Sequence, residues 1–171
     1  MSETTQEFIP GSVLDKLGEQ VRANIAKSGV HVWGIFGSNE GPSFTYTTGL
    51  YEKQLPEFVI AGFSPDSAHY IIMLAYEEMK KRGRRFADRE VFLVDDDPTK
   101  ALVFLDARDS VRDDYTIQTG QYYQTEDYEV QQILIPDTEG RFPNDPNCDY
   151  YLQPILSREP MAAQSVAGLR N

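Results

Sequence analysis

Gly41-Pro42-Ser43-Phe44-Thr45-Tyr46-Thr47-Thr48-Gly49-Leu50 carries the chain's clearest strand signal. Gly41-Pro42 is turn chemistry, and Phe44 to Thr48 is a run of aromatic and β-branched residues closed by Gly49, the pattern of a strand. Side chains alternate between the faces of a strand, so Ser43, Thr45 and Thr47 share one face and Phe44, Tyr46 and Thr48 the other. On a half-buried antiparallel strand the aromatics face the core and the hydroxyls face water. The sharper alternative is a hydroxyl-lined pocket wall. Upstream, Val30 to Phe36 is a second β run, and the short turn-rich 37–42 segment between the two predicts an antiparallel hairpin. Downstream, Glu57-Phe58-Val59-Ile60-Ala61-Gly62-Phe63 is largely apolar, which predicts a central strand.

Helices flank this core. Ser12 is a suitable N-cap, and Val13, Leu14, Leu17, Val21 and Ile25 recur at helical spacing until Ser28-Gly29. Ser64-Pro65-Asp66 is a strong helix start, followed by an apolar stripe from Ala68 to Met79 and a cationic end from Lys80 to Arg85. Val91–Val94 and Ala101–Leu105 read as short strands, with the acidic turn Asp95-Asp96-Asp97-Pro98 between them. Residues 110–123 allow a helix that Gly120 weakens. A tyrosine-rich patch (Tyr122, Tyr123, Tyr128) leads into a strand over 128–136. The expected fold is α+β: a mostly antiparallel, curved sheet of five to six strands with two main helices packed against it. Residues 1–11 read as a polar arm, 12–157 as a single domain, and 158–171 as a C-terminal tail.

Bulk properties narrow the function. The chain has 171 residues, 40% of them hydrophobic and 12% aromatic, enough for one well-packed domain. Its net charge of −11 makes nucleic acid a poor partner, because phosphate binding rests on clustered cations. Cys148 is the single cysteine, so no intrachain disulfide forms and a reducing compartment is expected. Residues 1–6 lack the basic head and apolar core of a signal peptide, and no stretch approaches the roughly 20 apolar residues of a membrane span. The expectation is a cytoplasmic protein that uses neither nucleic acid nor membrane.

The catalytic motifs are sparse. Two histidines, His31 and His69, and one cysteine fall short of the usual zinc set, so neither a metal nor a cofactor is expected. There is no Gly-x-Ser-x-Gly elbow, no phosphate-cradling loop and no dinucleotide fingerprint. His31 becomes an acid–base candidate only if it meets an acid such as Asp137 or Glu57. Arg141 follows a tight turn and offers a planar fork for a carboxylate or phosphate; its structural alternative is a bridge to Asp137 or Glu57. Ten tyrosines, with Tyr46, Tyr122, Tyr123 and Tyr128 near these motifs, can stack a planar ring.

Several pieces resemble an uncharacterised bacterial and phage family catalogued as a domain of unknown function. They are Val30-His31-Val32-Trp33, the Gly-Pro-x-Phe-x-Tyr-Thr-x-Gly-Leu core at 41–50, Pro56-Glu57-Phe58-Val59-Ile60, and the Pro-Asp-x-x-Gly-Arg-Phe-Pro turn at 136–143. The likeness covers residues 30–156. Thr45 and Thr48 depart from it, since the family often has small or aliphatic residues there. The resemblance implies no activity. The residues themselves lead to an expected ligand-binding protein. Thr45, Tyr46, Thr47, Tyr123 and Arg141 would hold a small, polar, anionic and nucleotide-like molecule between the strand and the turn, with oligomerisation if the site is shared. The alternatives are a hydrolase or lyase using His31 with Asp137 or Glu57, and an acidic module that inhibits a basic partner.

Overall fold

The computed structural model describes residues 11–39, 41–149 and 153–160, with side chains from residue 16 onward. The elements run α1 (Gly11–Ser28), β1 (His31–Ile35), β2 (Phe44–Thr48), β3 (Glu57–Ala61), α2 (Pro65–Arg82), β4 (Val91–Leu93), β5 (Ala101–Asp106), α3 (Val111–Asp114), α4 (Ile117–Tyr123) and β6 (Val130–Leu134). Residues 1–10 of the arm, 161–171 of the tail, and residues 40 and 150–152 lie outside the described residues. Among the described residues no helix is long and apolar enough to cross a membrane.

The strands form one sheet in the order β1-β2-β3-β6-β5-β4. All pairs are antiparallel except β3 with β6, so the fold is α+β with a mixed, mostly antiparallel sheet. The expected β1–β2 hairpin forms, in a register that sets Trp33 opposite Tyr46 and Gly34 opposite Thr45. β3 is buried along its whole length, as befits a strand covered on both faces.

Two apolar layers flank the sheet. On one face α2 lays Ala68, Ile72, Ala75 and Met79 against Phe58 and Ile60 of β3, Leu102 and Phe104 of β5, and Ile133 of β6. Ser64 starts α2 by accepting a hydrogen bond from the Ser67 N–H, with Pro65 next in line. Ile72 is the stripe's centre and fully buried; truncating such a residue to alanine costs about 2–5 kcal/mol. α2 approaches β1 so closely at its start that a Cβ on Gly34 would lie 2.7 Å from Pro65 Cβ. On the other face, Tyr46 and Val59 pack with Val111, Tyr128, Val130 and Leu156, while Val103, Leu105 and Leu134 pack with Phe142.

Two expectations need correction. Thr45 and Thr47 do not face water: Thr45 pairs with Ile60 and Gly34 on the face that α2 covers, and both threonines are fully buried. The 110–123 helix is two short helices broken at Tyr115-Thr116, not weakened at Gly120. Tyr128 makes the break, because its hydroxyl donates to the Thr116 carbonyl at 3.1 Å and shares a 2.7 Å hydrogen bond with the Thr116 hydroxyl.

Candidate functional site: a buried carboxylate behind an aromatic cleft

The site begins where β2 ends. Gly49 adopts φ of 122°, a backbone conformation open to glycine, and the chain after it turns so that three successive N–H groups face inward. They converge on the carboxylate of Glu57, the first residue of β3. Tyr51 N donates to Oε2 at 2.9 Å, Gly49 N to Oε2 at 3.2 Å and Leu50 N to Oε1 at 3.3 Å. Two hydroxyls complete the shell: Thr47 donates to Oε1 at 2.7 Å and Tyr123 to Oε2 at 2.8 Å. Glu57 has no exposed surface. Burial pushes its carboxyl up from the ordinary range, and the donors from Thr47, Tyr51, Tyr123 and Leu50 pull the other way. Burial, and then the charge of Glu57, raise the Tyr123 phenol, which stays protonated at neutral pH.

A second chain of hydrogen bonds runs beside the first. Thr119 donates to the Thr47 carbonyl at 2.8 Å, so it accepts from Thr48 at 2.9 Å. Thr48 in turn accepts from Trp33 Nε1 at 2.9 Å. Both chains end on aromatic rings, Tyr123 and Trp33, and both rings line the same cleft of about 950 Å³. Its walls are α1, through Leu17, Val21 and Arg22, and α4, through Gln118, Gln121 and Tyr122. Tyr122 meets Tyr123 edge-on at 5.3 Å between centroids. The side-chain amides of Gln118 and Gln121 make no hydrogen bond among the described residues. On the other flank of α4 a smaller cleft of about 690 Å³ is lined by Asp113, Asp114 and Glu126 against Arg112, with Tyr128 its sole aromatic.

The residues singled out in the sequence part company here. Thr47 and Tyr123 meet at Glu57. Tyr46 lies fully buried, its hydroxyl accepting from Gln118 N at 3.4 Å and its phenol pushed up by burial. Thr45 is buried with no partner for its hydroxyl among the described residues. Arg141 does not join them. Its N–H and Nε donate to Asp137 at 2.8 and 2.9 Å, and its far end lies 3.8 Å from Asp149. The expected hollow between β2 and the 136–143 turn is therefore corrected: β3 stands between β2 and β6, and Thr45, Tyr46, Thr47 and Arg141 line neither cleft.

The acid–base pairing does not form either. His31 Nδ1 lies 2.9 Å from Asn24 Nδ2, its ring meets Trp33 edge-on, and burial with the charge of His69 lowers its pKa. Glu57 and Asp137 spend their oxygens elsewhere, Asp137 on Arg141, Glu139 N and Asp149 N. Among the described residues no group of three or more His, Cys, Asp or Glu is placed to hold a metal ion.

A model of a family described as a domain of unknown function, DUF4262, matches residues 24–149. The chain belongs to that family. No curated protein and no solved structure matches it. The Glu57 shell, Trp33 and the whole of α4 fall within the DUF4262 match, whereas Leu17, Val21 and Arg22 precede it. The inner wall of the cleft is thus part of the family domain, and the outer wall is added by the residues ahead of it.

Sequence reasoning reached Tyr123 and its neighbour Tyr122 through the tyrosine-rich patch. It passed over Gln118, Gln121, Arg22 and the use of Trp33. The signal for Glu57 was an acid opening an otherwise apolar run, a position where a carboxylate must find several donors.

Proposed function

We propose that the protein binds a small, polar, planar molecule in the cleft between α1 and α4. The ligand class is the nucleotide-like one expected from the sequence, seated on Trp33, Tyr122 and Tyr123 rather than between β2 and the 136–143 turn. One observation carries this reading: three aromatic rings stand beside three carboxamides, Gln118, Gln121 and Gln124, whose side chains hold no partner among the described residues. Rings supply stacking, worth about 1–3 kcal/mol per base in proteins that bind single strands. A carboxamide presents a donor pair and an acceptor side by side, suited to the edge of a heterocycle. Arg22 is the one cation of the lining and is opposed by Glu19 and Glu52. That balance accepts one anionic group at most, which favours a nucleoside or monophosphate over a polyphosphate.

The test is native mass spectrometry of freshly purified protein, followed by thermal-shift titration with nucleosides and their monophosphates. Binding should raise the melting temperature, and Tyr122→Ala with Gln118→Ala should abolish the rise. Chromatography of the recovered ligand should show it intact. A response unchanged by both substitutions, or none to any probe, overturns the assignment.

A further inference from the structure

The two edges of the sheet are treated differently. β4 is three residues long and runs into Asp95-Asp96-Asp97-Pro98. Short length, charge and proline are the usual guards of an edge strand, because an open row of N–H and C=O groups recruits other strands. β1, the other edge, has no such guard. Val30-His31-Val32-Trp33-Gly34-Ile35-Phe36-Gly37 contains no Lys, Arg, Asp, Glu or Pro, and Phe36 at its end is 79% exposed.

The direction of the open groups follows from the ladder. Gly62 N donates to Ser43 O, so Ser43 and Thr45 turn their backbone groups toward β3, and Phe44, Tyr46 and Thr48 turn theirs toward β1. Their partners Ile35, Trp33 and His31 point back at β2. By alternation Val32, Gly34 and Phe36 present their N–H and C=O groups away from the sheet, and none of the three makes a backbone hydrogen bond outside the ladder among the described residues.

We propose that β1 pairs antiparallel with β1 of a second copy, joining two six-stranded sheets across a two-fold axis. The occupant follows from charge and symmetry. An uncharged edge offers no counter-ion to a basic or acidic partner strand, but it complements itself. On a molecule of net charge −11, an uncharged strip is where two copies approach with least repulsion. Antiparallel pairing of a strand with its own copy is isologous and satisfies the outward groups of both at once. With the axis near Gly34, Phe36 of one copy lies beside Val32 of the other and buries a ring that is otherwise bare.

Native mass spectrometry, light scattering and hydrogen exchange of the full chain at micromolar concentration test this. The expected result is a two-chain mass with the Val32 and Gly34 amides as protected as that of Trp33. Phe36→Glu puts a charge on the edge, and Phe36→Pro removes an outward N–H; neither touches the core. Each should raise the dimer dissociation constant about tenfold or more, with the circular dichroism spectrum unchanged. A one-chain mass throughout overturns the proposal. So does a dimer that survives both substitutions, or one whose Val32 and Gly34 amides exchange freely.

Discussion

Replacing Asp137 with asparagine should destabilise the protein by about 2–3 kcal/mol at neutral pH, and the same four hydrogen bonds give that magnitude in two ways. The Asp137 side chain is fully buried and accepts four hydrogen bonds: from Glu139 N and Arg141 N at Oδ1, and from Arg141 Nε and Asp149 N at Oδ2. An amide nitrogen in place of either oxygen meets two donors and forfeits two bonds, at about 1–1.5 kcal/mol each. The second route is the carboxyl's own titration. Burial opposes ionisation, but the Arg141 N–H and guanidinium with the Asp149 and Glu139 N–H groups outweigh it and hold the pKa at about 2, below the ordinary 3.8. At about 1.4 kcal/mol per pKa unit that difference is worth about 2.5 kcal/mol. A depressed acid contributes its stability above its unfolded pKa and loses it as pH falls through the folded one. The advantage of wild type over Asp137→Asn is therefore full at pH 7 and shrinks between pH 3.8 and about 2. Urea denaturation at pH 7 and pH 3 measures both quantities, and the melting temperature should fall by roughly 4–12 °C at pH 7. A gap under about 0.5 kcal/mol at pH 7, no larger than an ordinary surface substitution produces, would mean that the four bonds to Asp137 contribute little. A gap that ignores pH would refute the reasoning.

Two threonines of similar burial should respond oppositely. Thr119→Val leaves the Thr47 carbonyl and the Thr48 hydroxyl short of a partner and should cost about 1–3 kcal/mol, whereas Thr45→Val removes a hydroxyl without a described partner and should be neutral or stabilising. Equal losses in urea melts would contradict the network drawn here. His31 titrates below its ordinary value, so its share of stability is present above pH 6.5 and lost on acidification below it. Melts at pH 5 and pH 7.5 should show a smaller drop for His31→Gln than for wild type, and parallel drops would argue against it.

How much of this was legible depends on how local the physics is. The β1–β2 hairpin and the start of α2 are legible because turn residues, β-branched runs and the Ser64-Pro65 cap act over a few positions. Strand order is not local. Nothing local marks the polar Gln131 and Gln132 for the interior, yet both are buried. Gln131 donates to the Phe86 carbonyl and Asp106, and Gln132 donates to the Pro154 carbonyl and accepts from Leu156 N. At the site, Tyr123 is visible as one of a tyrosine cluster, but the role of Glu57 is not, since its donors come from positions 47, 49 to 51 and 123. For Arg141 the sequence offered two readings, an open fork and a bridge to Asp137 or Glu57, and the structure has the bridge to Asp137, four residues earlier.

The last strand among the described residues is also a middle strand, and this sets the order of assembly. Until β6 is in place the sheet is in two unconnected pieces, β1-β2-β3 and β4-β5. The inner rims of β3 and β5 stay open until β6 emerges and slots between them. Any stop codon ahead of Val130 therefore strands both pieces with sticky rims, a substrate for chaperones and proteases rather than a shortened working domain. Completion is a single late event that joins distant parts of the chain, the kind of step that folds slowly.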